Sequence, residues 1–104
     1  MKIDFRLSPN MLSEDERRFL SSQIRFATRY HDTPLAGVRI ELVPRERRWR
    51  ARMTAVEHGG TTVVTERDAA SVYGAIAEAI TVLDRALHTA SMSRRGSVEE
   101  VWAA

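Results

Sequence analysis

Apolar and polar positions alternate along this chain with two different periods, and the places where the period changes mark out six elements. Lys2-Ile3-Asp4-Phe5-Arg6-Leu7 alternates residue by residue, as a half-buried strand does, with Ile3, Phe5 and Leu7 inward. Pro9 and Asn10 break it. Ser13 followed by Glu14, Asp15 and Glu16 is a capping box, in which the Ser13 hydroxyl takes the amide three residues on and the Glu16 carboxylate reaches back. Three acids in the first turn also suit the positive end of a helix. From there to about Tyr30 the spacing is helical. Phe19, Leu20, Ile24, Phe26, Ala27 and Tyr30 share one broad apolar arc, and Arg18, Arg25 and Arg29 fall almost opposite.

Pro34 and Gly37 bracket the exit loop. Val38, Ile40 and Leu42 then alternate with Arg39, Glu41 and Val43 as a second strand, and Pro44-Arg45-Glu46-Arg47 is a hairpin connection. The third strand alternates most clearly: Trp49, Ala51, Met53 and Ala55 point one way, and Arg48, Arg50, Arg52 and Thr54 the other. His58-Gly59-Gly60 is a turn with the glycines that positive φ favours. Thr61 to Glu66 is a short β-branched fourth strand. Asp68 or Ser71 caps a second helix running to about Thr89, with Val72, Ile76, Ala79, Ile80, Leu83 and Leu87 as its buried stripe. Glu78, Thr81, Arg85 and His88 lie on the far side of that helix. Residues 91–104 are polar up to Val98-Glu99-Glu100-Val101-Trp102 and are expected to form a mobile tail, with Ser97 and Glu100 able to cap one extra turn.

The order strand, helix, three strands, helix predicts an α+β two-layer domain over residues 1–90. Its four-stranded sheet carries both helices on one face and leaves the other face to solvent. A chain of 104 residues has room for one such domain.

Composition sharpens this picture in a few places. There is no cysteine, so disulfides, thiolate metal sites and cysteine nucleophiles are excluded. No apolar run is long enough to cross a bilayer, and MKIDFRL lacks the pattern of a signal peptide, so no membrane partner is expected and the expected location is the cytoplasm. Net charge is only +2, yet fifteen of the sixteen bases are arginine, with Lys2 the sole lysine. Residues 39–52 hold six arginines against Glu41 and Glu46, so the base excess is local, which is what binding to a polyanion requires.

By alternation the open sheet face carries Lys2, Arg6, Arg39, Arg48, Arg50 and Arg52 against Asp4 and Glu41. Two readings of that face stand. It is a solvated surface with cross-strand pairs such as Glu41 with an arginine, or its rows of guanidinium groups, with Arg18, Arg25 and Arg29 of the first helix, bind the phosphates of structured RNA. Two acids are too few to neutralise the third strand. Catalysis finds no such support. His31, His58 and His88 lie in three separate segments without metal-ligand spacing. A His31-Asp32 dyad competes with the ordinary placing of His at a helix end. The His58 glycine turn joins strands and opens no helix, so it is no phosphate cradle. No catalytic residue, metal, cofactor or small-molecule substrate is expected. Tyr73 and Trp49 read as core residues. Ala75, Ala79, Val82 and Ala86 line a small-residue flank of the second helix, read as packing against the first helix or as a self-association face.

The second helix also carries a resemblance. Val72-Tyr73-Gly74-Ala75-Ile76, then Ile80, Leu83-Asp84-Arg85 and Leu87, resembles the signature of the ribosome hibernation-promoting factor and ribosome-associated inhibitor A family. These are also called ribosomal subunit interface proteins or the sigma-54 modulation protein family. The opening K-I-x-F, the Leu12-Ser13 helix start, the V-R-I-E-L strand and Arg-Ala-Arg-Met-Thr-Ala before the glycine turn are similar too, so the likeness spans roughly residues 2 to 89. It implies the same β-α-β-β-β-α, double-stranded-RNA-binding-domain-like fold. It also implies a non-catalytic factor that binds the small ribosomal subunit and its rRNA where mRNA and tRNA sit, silencing translation under stress or in stationary phase.

Arg17 and Arg29 match basic positions of the family's first helix, and Arg85 matches the arginine of its L-D-R. The chain departs from the family where lysines usually stand on the second helix: Val82, Ala86, His88 and Thr89 occupy those places, and Gln23 and Phe26 replace bases on the first. The expected RNA-binding set is therefore Arg17, Arg18, Arg25, Arg29, Arg48, Arg50, Arg52 and Arg85. The alternative is a diverged member that keeps the fold as a protein-interaction or homodimer module, through Ala75, Ala79, Val82 and Ala86 or through Trp102 in the tail.

Overall fold

A computed structural model describes residues 1–29, 31 and 34–103, with side chains through residue 90. The elements follow the predicted order: β1 (Lys2–Arg6), α1 (Glu14–Thr28), β2 (Leu35–Arg45), β3 (Arg48–Glu57), β4 (Thr62–Ala69) and α2 (Val72–Ala103). The strands form one sheet in the order β1-β2-β3-β4. β1 runs parallel to β2, and the other neighbours are antiparallel. The architecture is the expected α+β domain.

Local chemistry starts each helix as read. Ser13 closes the full capping box on α1: its hydroxyl accepts from the Glu16 amide at 3.0 Å and its own amide donates to the Glu16 carboxylate at 2.8 Å. Of the two candidate caps for α2, Ser71 is the one used, its hydroxyl accepting from the Gly74 amide at 3.0 Å. Asp68 is instead a strand residue, because β4 continues through Glu66, Arg67 and Asp68 to Ala69. That extension of a strand expected to end at Glu66 matters below.

The core is the layer between sheet and helices. Leu20 and Ile24 of α1, Val38 and Ile40 of β2, Ala51, Met53 and Ala55 of β3, and Ile76, Leu83 and Leu87 of α2 are all buried in one cluster. Trp49 and Tyr73 pack against it partly buried, as expected. Truncating any of the large members to alanine costs about 2–5 kcal/mol, because transfer energy and a cavity add.

The apolar arc of α1 is narrower than its sequence suggests. Phe19 and Phe26 are 52% and 62% exposed. The helix rests on the core through Leu20 and Ile24, which leaves the two phenylalanines on the flank that meets α2. There Phe19 stacks on Tyr73 with ring centroids 6.4 Å apart, and both phenylalanines line a cleft with Gln23, Ala77 and Thr81. The expectation for Tyr30 lies outside the described residues.

Two further readings change. The backbone of α2 continues as helix to Ala103, past Thr89, where the buried stripe stops; no proline interrupts it. The small-residue flank of α2 faces β4 and not α1. Thr65 of β4 donates its hydroxyl to the Ala79 carbonyl at 3.4 Å, and Val82 and Ala86 line a groove with Val64 to Arg67.

At Gly37 the sheet depends on a missing side chain. A Cβ there would stand 2.7 Å from the Lys2 carbonyl oxygen, its register partner's main chain. The contact is with backbone, so relief requires β1 to move. Gly37→Ala is expected to lower stability by roughly 1–3 kcal/mol and to speed amide exchange in residues 2–6 ahead of the rest of the sheet. Unchanged melting and exchange would show that β1 is not held this closely.

Candidate nucleic-acid interface

The solvent face of the sheet is set by register. Across the four strands Arg6, Glu41, Arg52 and Glu66 stand side by side, alternating in sign. The neighbouring rows set Asp4 beside Arg39 and Arg50 beside Asp68. Opposite charges directly across a sheet attract and like charges repel, so this face is a charge ladder.

The side chains close that ladder. Arg50 grips Asp68 with two parallel bonds, Nε to Oδ1 at 2.8 Å and Nη2 to Oδ2 at 3.3 Å, the bidentate form that suits a guanidinium. Glu66 is shared, 3.3 Å from Arg52 Nε and 3.8 Å from Arg50 Nη1. Arg6 Nε donates to Asp4 at 2.9 Å on the far edge. The expectation of only two acids on this face is thus corrected. Glu66 and Asp68 belong to it as well, and they pair with two of the three arginines on which the RNA reading of β3 rested, Arg50 and Arg52.

The carboxylates respond to this setting. The Asp68 carboxyl is held below the ordinary aspartate range, first by the hydrogen bonds from Arg50 and then, against the opposing pull of desolvation, by the charges of Arg50, Arg45 and Arg48. Asp4 is lowered in the same way by Arg6, with Lys2 and Arg39 adding to the field. The same Asp68 contact holds Arg50 more firmly in its charged form.

The remaining predicted bases do not join the sheet arginines in one surface. Arg18, Arg25 and Arg29 are exposed on α1 in the helix layer, and the β3 arginines project from the opposite face of the sheet. Arg18 reaches Glu14 at 3.5 Å and Asp15 at 4.0 Å, both largely exposed pairs of little energetic weight. Arg29 lies over the Phe26 ring, 3.5 Å from its centroid, and donates to the Phe26 carbonyl. Arg17 is half-buried, with its guanidinium 5.9 Å from the Phe5 ring and 3.4 Å from the Pro9 carbonyl. Arg85 is exposed beside the groove between α2 and β4. Arg48 donates to the Asp68 carbonyl at 3.3 Å.

The self-association face fares differently by residue. Ala75 and Ala79 are fully buried, so they offer no surface to a partner; Val82 and Ala86 are half-buried in the β4 groove. The side chain of Trp102 lies outside the described residues.

One buried pair escaped the sequence reading altogether. His31 Nε2 stands 3.2 Å from Glu57 Oε1, and both side chains are about 95% shielded, at 3% and 5% exposed. The pair ties the exit of α1 to the end of β3 beside the bond from the His58 amide to the Pro34 carbonyl. Twenty-six residues separate the two, and no local pattern signals such a contact. Asp32, the partner considered for His31, lies outside the described residues. Among the described residues no three His, Asp or Glu gather as a metal site, and no helix is long and apolar enough to cross a membrane.

The N-terminal domain of Thermus thermophilus Protein Y matches with a TM-score of 0.61 at 23% identity, covering 83% of this chain and 91% of that one. A ribosomal subunit interface protein from Coxiella burnetii matches with a TM-score of 0.73 at 12% identity, covering 88% of this chain and 99% of that one. The chain shares their fold. At these identities the likeness establishes architecture, and it agrees with the resemblance carried by the second-helix motif. No family profile and no curated protein matches the chain.

The ladder has a measurable acid limb. Asp68 has a lowered pKa in the folded state, so its contribution to stability is present above the ordinary aspartate range and is lost as pH falls through the depressed value. A carbon-detected NMR titration is expected to find the Asp68 midpoint below that of a free aspartate, and Arg50→Gln to return it to the ordinary range. An ordinary midpoint in the unsubstituted protein would mean that the fork does not form.

Proposed function

We propose that this protein is a non-catalytic, ribosome-associated factor that binds the rRNA of the small ribosomal subunit and silences translation under stress or in stationary phase. The single observation that carries the reading is the fold, shared along nearly the whole length of a protein described as a ribosomal subunit interface protein. The second-helix motif around Tyr73 and Arg85 supports it from the sequence side. So do the exposed arginines on α1, where Arg25 stands in solvent and Arg18 meets only the exposed Glu14 and Asp15. Such a factor acts by occupancy: guanidinium groups take phosphate oxygens, and the bound domain obstructs the path of mRNA and tRNA. It works in the cytoplasm, where ribosomes are.

Arg17, Arg18, Arg25, Arg29 and Arg85 form the helix-layer part of the proposed interface. Arg48 belongs to the sheet side. Arg50 and Arg52 serve it mainly by holding the face together, since their charges are already matched by Asp68 and Glu66. A second reading, a homodimer through Val82 and Ala86, draws on Val64, which is 49% exposed beside that groove. Light scattering over a concentration series separates the two, because a dimer gains mass without ribosomes present.

Sedimentation with small subunits tests the main reading. The protein is expected to travel with them at low salt and to be released as salt rises, because each neutralised phosphate returns counterions to solution. Charge reversal of Arg25 and Arg29 is expected to weaken co-sedimentation by tenfold or more, since about 1.4 kcal/mol of lost binding suffices for each factor of ten. A protein that stays at the top of a low-salt gradient would refute the proposal.

A further inference from the structure

The charge ladder is incomplete at one end, and that end is the β2–β3 hairpin. Arg45 and Arg48 are direct cross-strand partners, so the last row sets like charge against like. No carboxylate of β4 stands across from them. Asp68 is the last outward-facing acid of that strand, which ends at Ala69, and both its oxygens are taken by Arg50. Arg48 hydrogen-bonds the main-chain carbonyl of Asp68 at 3.3 Å, and the Asp68 carboxylate acts on Arg45 and Arg48 through its field, with no ion pair to either. Between the two, Arg47 sits at φ 57°, in the left-handed region where glycine or asparagine is the low-strain choice. Glu46 is a single acid for three exposed arginines.

Two local rules are thus broken within four residues, although the rest of the face obeys them row by row. Breaches of local consistency with no structural gain concentrate where function is served. The kind of partner follows from what surrounds the charge. The exposed large apolar side chains among the described residues are Met1, Phe19, Phe26 and Val64, none of them at the hairpin. Trp49, the nearest aromatic, turns inward and packs on the core. A protein interface needs a buried apolar or aromatic anchor, whereas a phosphate backbone needs only positioned positive charge.

We propose that the hairpin end, Arg45, Arg47 and Arg48, is a phosphate-binding contact for RNA. It deepens the reading of the protein as a ribosomal RNA binder and moves the sheet-side contact away from Arg50 and Arg52. Guanidinium forks on a protruding turn reach into the backbone of structured RNA without asking the sheet to give up its internal pairs.

The test is the triple variant Arg45→Ser, Arg47→Gly, Arg48→Thr in the full chain, measured against small ribosomal subunits and against an RNA duplex of about 16 base pairs, the length a domain of comparable shape spans. Arg67→Thr, which removes a base on the helix side of the β4 edge, gauges the effect of each unit of net charge. Removing the repulsion and the strained turn is expected to leave the melting temperature unchanged or raised. RNA affinity is expected to fall about tenfold or more at 0.1 M salt, with the slope of log K against log salt reduced by about two to three. Equal affinity and an equal slope for the triple variant and the unsubstituted protein would overturn the proposal. So would a fall in log affinity no larger than three times that of Arg67→Thr, or binding of poly-glutamate as strong as binding of the duplex. If the duplex is bound through the hairpin but small subunits are not bound at all, the contact stands and the ribosomal reading fails. If subunits are bound with full affinity by the triple variant, the ribosomal reading stands and the contact fails.

Discussion

An exposed sheet face rich in arginine escapes like-charge repulsion only where carboxylates stand directly across from the guanidinium groups. In this protein the fork between Arg50 and Asp68, with Glu66 shared between Arg50 and Arg52, meets that condition. It also matches the register of the fourth strand. A slip of one residue would turn Glu66 and Asp68 toward the apolar layer and bring Val63, Thr65 and Arg67 to the outer face. The pairing therefore links two levels: it supports the register that closes the core from the side of β4, and it decides which bases remain unmatched for a partner. Each exposed pair carries little energy alone. Their importance lies in arrangement.

Much of this architecture was legible in the sequence, because the signals are local. The Ser13 capping box, the alternation from Arg48 to Ala55 and the Ile76-Leu83-Leu87 stripe each specify geometry within a few residues. What escaped was decided at a distance or disguised by composition. The charged pair Arg67-Asp68 beyond Glu66 reads as the link to the second helix, yet it is strand, and β3 sets Arg50 directly across from Asp68. Phe19 and Phe26 read as core residues on a helical wheel, but the wheel cannot say where a second helix will stand. The His31 and Glu57 contact joins segments that share no pattern at all.

The candidate site was legible in part for the same reason. Arginine content and placement showed that phosphate binding was within the chain's chemistry, but not which arginines were committed to internal pairs. Counting charge over a predicted face gave Arg48, Arg50 and Arg52 equal standing. Pairing separates them: Arg50 and Arg52 are structural, and Arg48 groups with Arg45 and Arg47 at the hairpin. On the helix layer Arg25 is exposed to solvent, whereas Arg17 and Arg29 also brace aromatic rings of their own domain. With one lysine and fifteen arginines, nearly all of the chain's positive charge is carried by guanidinium groups, the form that pairs bidentately with phosphate.

The central claim is that the sheet face is internally neutralised while its hairpin end is not. It is tested most directly by following the arginine Nε–H resonances of the nitrogen-15-labelled protein during titration with an RNA duplex. The account predicts that the signals of Arg45, Arg47 and Arg48 shift progressively while those of Arg50 and Arg52, held by Asp68 and Glu66, stay in place. Large shifts at Arg50 and Arg52 with an unmoved hairpin would contradict it.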